Sequence, residues 1–382
     1  MIIPYLRQDL EIFRGNSRED GSPAWLLYDA VRNKYFTVGL TAFRLIKNWR
    51  GGEDIQNFEK KINSQGIETT GDEIKSFVGF LQQNNLIIQP QGQGVPYLMQ
   101  QKNSLKKSWI MNLIHSYLFF KIPLFTPDEW LGRTLDKVKF LGSKKIRNII
   151  YILGFIGLFF VIQQFENFTK TFLYFFSLKG LMLYFITLVF VKCLHELGHA
   201  YIAKYHGCKV SAIGIAFLVF FPFLYTDTTD AWRLRNHKDR LLINFAGILT
   251  ELHLALIATF VWGILPEGGL KSAAFFIATT SWISSIAINV SPFMRFDGYY
   301  VFSDWLKAEN LQPRSFALAK WKTRETLFGF NHKPPEEISP SRRWTFIIYA
   351  WSTWVYRFFL FIGIALLVYY FAFKVLGIIL FA

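Results

Sequence analysis

The chain is 382 residues long, 52% of them hydrophobic and 18% aromatic, with 41 phenylalanines. A soluble domain has no use for such an excess, and several apolar runs approach the roughly 20 residues that a bilayer crossing takes, so the composition describes an integral membrane protein. The formal charge is +15, yet residues 1–100 hold 11 Lys/Arg against 11 Asp/Glu, so the whole surplus lies beside the expected spans. Basic flanks of that kind face anionic lipid, and a soluble region with no basic surplus excludes nucleic acid as a partner.

The opening MIIPYLRQDLEIF has acidic residues where a signal peptide carries its apolar core, so no cleaved targeting segment is expected. AWLLYD (24–29) and KYFTVG (34–39), joined by AVRN, read as a β-hairpin. Leu40, Phe43, Leu45 and Ile46 then fall at helical spacing before a Gly51-Gly52 stop. Further helices are predicted near 54–63 and 72–84, the second capped by Thr70 or Asp72. Residues 1–95 are thus read as a small winged-helix-like α+β module. QPQGQGVP (89–96) has the composition of a linker. Residues 96–147, with IPLFTPDEW and the basic KKIR (144–147), are read as linker followed by amphipathic helices lying on the membrane.

Residues 148–382 are expected to form a mainly α, polytopic membrane helix bundle. Spans are predicted at 149–162, 181–203, 241–265 and 273–290. Residues 210–225 are apolar but interrupted by Gly214 and Pro222, and are expected to re-enter rather than cross. Residues 344–381 are long enough for one long span or two tight ones, with Arg357 inside. Loops at 204–240 and 295–343 are rich in Lys and Arg, and those at 165–180 and 264–272 are not, which predicts a cytoplasmic N-terminus. The two cysteines, Cys193 and Cys208, support neither a disulfide framework nor a Cys-rich zinc site and read as small buried residues.

The second span ends in VKCLHELGHA (191–200), an H-E-x-x-H pattern. Residues i and i+4 of a helix share a face, so His195 and His199 can point two imidazoles at one metal, and Glu196 beside that face can take a proton from an activated water. The bland alternative is a helix end carrying these residues by chance. Ionisable groups inside a span cost a few kcal/mol each, however, and a metal offsets that cost. A catalytic zinc wants three protein ligands and an open position. The candidates for the third are Asp227, Asp230, Glu251, His253 and Asp297. Asp297, in NVSPFMRFDGYY (289–300), follows a span that returns to the motif's side of the membrane. Asp227 and Asp230, in LYTDTTDAW, read more readily as capping or turn residues, and His253 as a packed residue of the third span. His115, His206, His237 and His332 read as surface residues.

HELGH on a span, followed by N-x-x-P-x-x-x-x-D-G at Asn289, Pro292, Asp297 and Gly298, resembles the site-2 protease family of intramembrane zinc metalloproteases. FPFLYTDTTDAWRL (221–234) and INFAGILTEL (243–252) are similar to a bacterial peptide metalloprotease branch; the resemblance covers roughly residues 110–370. It implies zinc held by His195, His199 and Asp297, Glu196 as general base, and Asn289 holding the substrate strand or the scissile carbonyl, in a bacterial cytoplasmic membrane. Residues from YLRQDLEIF to about 90 are similar to PqqD-like modules, which bind leader peptides of ribosomally made, modified peptides; a strand added to a sheet edge is the physical mode expected. Many relatives continue into a periplasmic adaptor of the membrane-fusion type, whereas this sequence stops at Ala382, so an adaptor or exporter subunit is expected as a separate polypeptide. Gly247-Ile248-Leu249 stands where many site-2 proteases carry a Gly-Pro-rich loop, and no PDZ insertion is seen. The implied activity is hydrolysis of a precursor peptide at the cytoplasmic side during maturation or export. The alternatives are a non-catalytic component of a peptide exporter and a regulatory protease cutting a membrane-anchored transcription regulator.

Overall fold

A computed structural model describes residues 2–15, 22–88, 119–218 and 221–381. The chain divides into two compact units, Met1–Ile277 and Ala278–Ala382. It is mostly helical with a small N-terminal sheet region, as expected for its fold class.

The N-terminal sheet has the order β1 (Leu10–Arg14), β2 (Trp25–Asp29), β3 (Lys34–Val38), all antiparallel, with Tyr28 opposite Tyr35. Alternation divides its side chains between two faces. Trp25, Leu27, Phe36 and Val38 pack onto α3 (Gly71–Gln83), which follows α1 (Leu40–Lys47) and α2 (Ile55–Ser64). Thr70 and Glu73 form a capping box at α3, satisfying backbone donors that the helix start would otherwise leave open. Asp29 is fully buried, with its carboxylate 3.0 Å from Arg7 and 2.5 Å from Arg32. Burial raises its pKa, but the Arg32 and Arg7 guanidiniums outweigh that and hold it below the usual carboxylate value. The stability it contributes is therefore complete above about pH 4 and lost as pH falls through the lowered value. Asp29→Ala should destabilise this region by about 2–3 kcal/mol, measured by denaturant unfolding, because two charged donors lose their shared acceptor.

β4 (Phe119–Phe125) pairs with β5 (Ile213–Leu218), which pairs with β6 (Phe221–Thr226), giving a second antiparallel sheet in that order. Residues 119–125 are thus strand, not the expected interfacial helix. Pro123 within the run opposes a helix interior and is tolerated on an edge strand. The helix of this region is α4 (Asp128–Val138), and residues 89–118, with the expected linker, lie outside the described residues. In the 210–225 stretch, Ile213–Leu218 and Phe221–Thr226 are thus paired antiparallel strands rather than a re-entrant helix. Gly214 is needed there, since a Cβ would lie 2.2 Å from the Ile122 carbonyl oxygen of β4.

Among the described residues, four helices are long and apolar enough to cross a membrane: α5 (Lys144–Gln163), α7 (Leu178–Tyr205), α8 (His237–Ile264) and the Pro340–Tyr370 part of α12 (Pro340–Phe381). A short α6 (Phe165–Thr171) follows α5. Apolar surface gains nothing by leaving lipid, so these helices associate through close packing at small residues. A Cβ on Gly157 of α5 would lie 2.5 Å from the Phe260 nitrogen of α8, and one on Gly198 of α7 would lie 2.2 Å from Thr250 Oγ1 of α8. Helix α8 is thus held closely by α5 and by α7.

The second unit begins within α9 (Gly269–Ile283), which continues as a π-helix over Ser284–Asn289. The expected fourth span at 273–290 therefore falls on the later part of a 15-residue α-helix and the six residues of wider winding that follow it, a form concentrated at functional sites. Then come α10 (Asp297–Trp305), α11 (Leu311–Phe328) and α12, a single 42-residue helix, about 63 Å long. That is roughly twice what one crossing takes. Its first half packs into the protein, with Phe346, Ile347 and Tyr349 clustered against Leu311, Leu318 and Tyr299. From Phe358 to Tyr370 no side chain is buried, as suits a lipid-facing segment. Arg357 stands at the junction and donates to the Phe293 carbonyl at 3.3 Å.

Candidate metal centre

Helix α7 is capped by Ser177, which accepts from the Gly180 amide, and stays apolar until its last turns. There His195 and His199 are buried at 6% and 7% exposure, their ring centroids 4.9 Å apart. Each ring has its Nδ1 against an acceptor. His199 Nδ1 lies 2.8 Å from the Ile243 carbonyl oxygen, and His195 Nδ1 lies 3.0 Å from Glu251 Oε1. An acceptor at Nδ1 keeps the proton there and leaves the lone pair on Nε2. The two Nε2 atoms face each other at 3.2 Å.

Ile243, Gly247 and Glu251 follow at i, i+4 and i+8, and so share one face of α8. That face meets the two histidines in register: Ile243 at His199, Glu251 at His195, and Gly247 between them. A Cβ on Gly247 would lie 2.4 Å from both Nε2 atoms. The space in front of the imidazoles is therefore kept open by the absence of a side chain. Two imidazole lone pairs converging on such a space are the donor set that zinc takes.

Glu196 is half-buried next to this face, and its backbone carbonyl accepts from Thr226 Oγ1 at 3.1 Å, tying the end of β6 to the motif. In the second unit, Asn289 ends the π-helix and is buried, while Asp297 opens α10 and is half-buried. A Cβ on Gly298 would lie 2.5 Å from the Asn289 carbonyl oxygen, so glycine is what lets α10 start against the π-helix end. The Pro292 carbonyl accepts from Tyr349 at 2.9 Å, and Arg295 donates to Gln312 at 2.9 Å, which pins the connecting loop.

The remaining candidates for a third ligand have other partners. Asp227 accepts from the Thr229 amide at 3.1 Å and from Asn33 at 3.2 Å. Asp230 accepts from the Lys209 amide at 2.7 Å and from the Tyr35 hydroxyl at 2.5 Å. Both therefore receive the outer face of the N-terminal sheet, where Tyr28 stacks on Tyr35 and Arg233 lies over Phe13 at 5.8 Å. His253 packs beside Tyr151, at 5.8 Å between ring centroids. Cys208 is buried, and that burial pushes its thiol up to about 11; Cys193, against expectation, is exposed on α7. Sequence reasoning also missed the part of Gly247. Its signal was a glycine midway between Ile243 and Glu251, four residues from each.

Burial and the bond to Asp230 both raise the Tyr35 pKa. A raised phenol supplies stability that is complete below about pH 10 and eroded as pH rises beyond it. Tyr35→Phe should weaken this docking by about 1–2 kcal/mol and remove its alkaline loss, read by hydrogen exchange at the β2–β3 hairpin.

An H-E-x-x-H helix set among membrane-length helices is the pattern that membrane-embedded metallopeptidases carry. Residues 182–296 match the model of Peptidase family M50, so this stretch is an M50 (site-2 protease) family domain, and that family consists of zinc metallopeptidases. The match takes in His195, Glu196, His199 and Asn289 and ends one residue before Asp297. Neither the comparison with curated proteins nor that with solved structures gave a match.

Proposed function

We propose that the protein is an intramembrane zinc metalloendopeptidase of a bacterial inner membrane, with a cytoplasmic N-terminus, that cuts the precursor of a ribosomally made, modified peptide at the cytoplasmic side. The observation that carries this reading is the pair of Nε2 atoms held open by Gly247 within the M50 stretch. His195, His199 and Asp297 would hold the zinc. When bound, the ion supplies Lewis acidity that polarises a peptide carbonyl and acidifies a water. Glu196 takes the proton of the attacking water and returns it to the leaving amine. Asn289 holds the substrate strand or its carbonyl, and the buried surroundings of the imidazoles keep bulk water out.

A helical substrate hides its carbonyls in internal hydrogen bonds, so the segment to be cut must be extended. The β4–β5–β6 sheet has edge strands that can take up such a segment, and the N-terminal sheet can dock the leader in the same way. Lipid surrounds the spans, and a separate adaptor or exporter subunit would receive the product. The test uses the full chain carrying Glu196→Gln as a trap in cells. Recovery of a leader-bearing precursor that the wild type cleaves is the expected result. Recovery of a membrane-anchored transcription regulator instead would move the assignment to regulatory proteolysis, and recovery of no cleavable peptide would overturn it.

A further inference from the structure

Lys192, Glu251 and His195 form a line of side chains that ends at the metal-facing imidazole. Lys192 and His195 lie three residues apart on one face of α7, and Glu251 reaches both from α8. A single oxygen, Glu251 Oε1, lies 2.7 Å from Lys192 Nζ and 3.0 Å from His195 Nδ1. Glu251 is fully buried, inside a helix of membrane length. A carboxylate there is costly unless it is paired, and Lys192 supplies the opposite charge.

We infer that Glu251 is a positioning residue: it fixes the ring orientation of His195 so that Nε2 faces the metal, and Lys192 holds the Glu251 carboxylate in place from the same face of α7. The inference rests on the reading of His195 and His199 as metal ligands. The two histidines are held differently. The Nδ1 of His199 rests on a backbone carbonyl that no substitution removes, whereas that of His195 faces a side chain that a substitution can replace. A carboxylate serving only to neutralise Lys192 has no need to share its oxygen with the imidazole.

The test measures zinc affinity by chelator competition on the purified full chain, together with the absorption spectrum of the cobalt-substituted protein. Glu251→Ala takes a counter-charge from Lys192 and opens a cavity at a fully buried position, which invites misfolding, so the informative variant is Lys192→Met/Glu251→Leu, which is neutral and apolar. Its zinc affinity should fall 10–100-fold with a shifted cobalt spectrum, whereas Lys192→Met alone should lose less. Glu251→Gln, which keeps an oxygen for Nδ1, should also lose less than the double variant. Wild-type affinity in the folded double variant would overturn the positioning role and leave Glu251 as a counter-charge. Equal losses in Glu251→Gln and the double variant would do the same. A wild-type chain that takes up no zinc would instead overturn the metal-site reading beneath it.

Discussion

Glu196→Gln is expected to stop cleavage of the precursor while zinc content stays at the wild-type level. Glutamine has nearly the same volume, and Glu196 sits one residue off the line joining the two imidazoles, so nothing that orients them is removed. His195 keeps Glu251 and His199 keeps the Ile243 carbonyl. What is lost is the proposed proton acceptor, and a positioned general base contributes about 10²–10⁴-fold to the rate. Elemental analysis of the purified variant and the rate of precursor cleavage check both halves. A variant that retains zinc and still cuts within tenfold of the wild-type rate would show that the base is another group. Export that survives the substitution unchanged would favour a non-catalytic exporter component.

Gly247→Ala is expected to lower zinc affinity at least 100-fold and to remove activity with it, while leaving the helix bundle as stable as before. Alanine is favoured over glycine in a helix by about 1 kcal/mol, so local propensity does not oppose the change. The new methyl group would sit 2.4 Å from both Nε2 atoms, and one imidazole has to leave. Helix α8 cannot back away to make room. Its other face, at Leu256, Phe260 and Gly263, is pressed against Gly154, Gly157 and Phe160 of α5. Thermal unfolding and zinc competition, run on the same preparation, separate the two effects. A folded alanine variant with wild-type zinc affinity would contradict the geometry proposed for the centre.

The features legible in the sequence are those set by local geometry. The spacing of His195 and His199 places them on one helix face whatever surrounds them. Thr70 three residues before Glu73 announces a capping box, and the apolar runs of α5, α7 and α8 announce themselves by length. The features that were not legible rest on contacts between distant segments. FFKIPLF becomes a strand only because residues 213–218 lie beside it. Asp227, Asp230 and Glu251 all qualified as ligand candidates by being carboxylates near the motif. What separates them is Asn33, 194 residues from Asp227, Tyr35, 195 residues from Asp230, and His195 beside Glu251. The fourth expected span was apolar enough, but its winding changes at Ser284, and composition does not report winding.

The aromatic face of the N-terminal sheet is fastened to the segment that follows β6, and Thr226 at the end of β6 is fastened to the Glu196 carbonyl. Such a joint makes a ruler. Under the proposed leader docking, a precursor gripped by that sheet would be offered to the cutting centre at a constant number of residues from the grip, whatever sequence lies between. Lengthening the spacer in the precursor would then move the cut along the peptide by the residues added, and a leader supplied as a separate molecule would give no fixed cut at all.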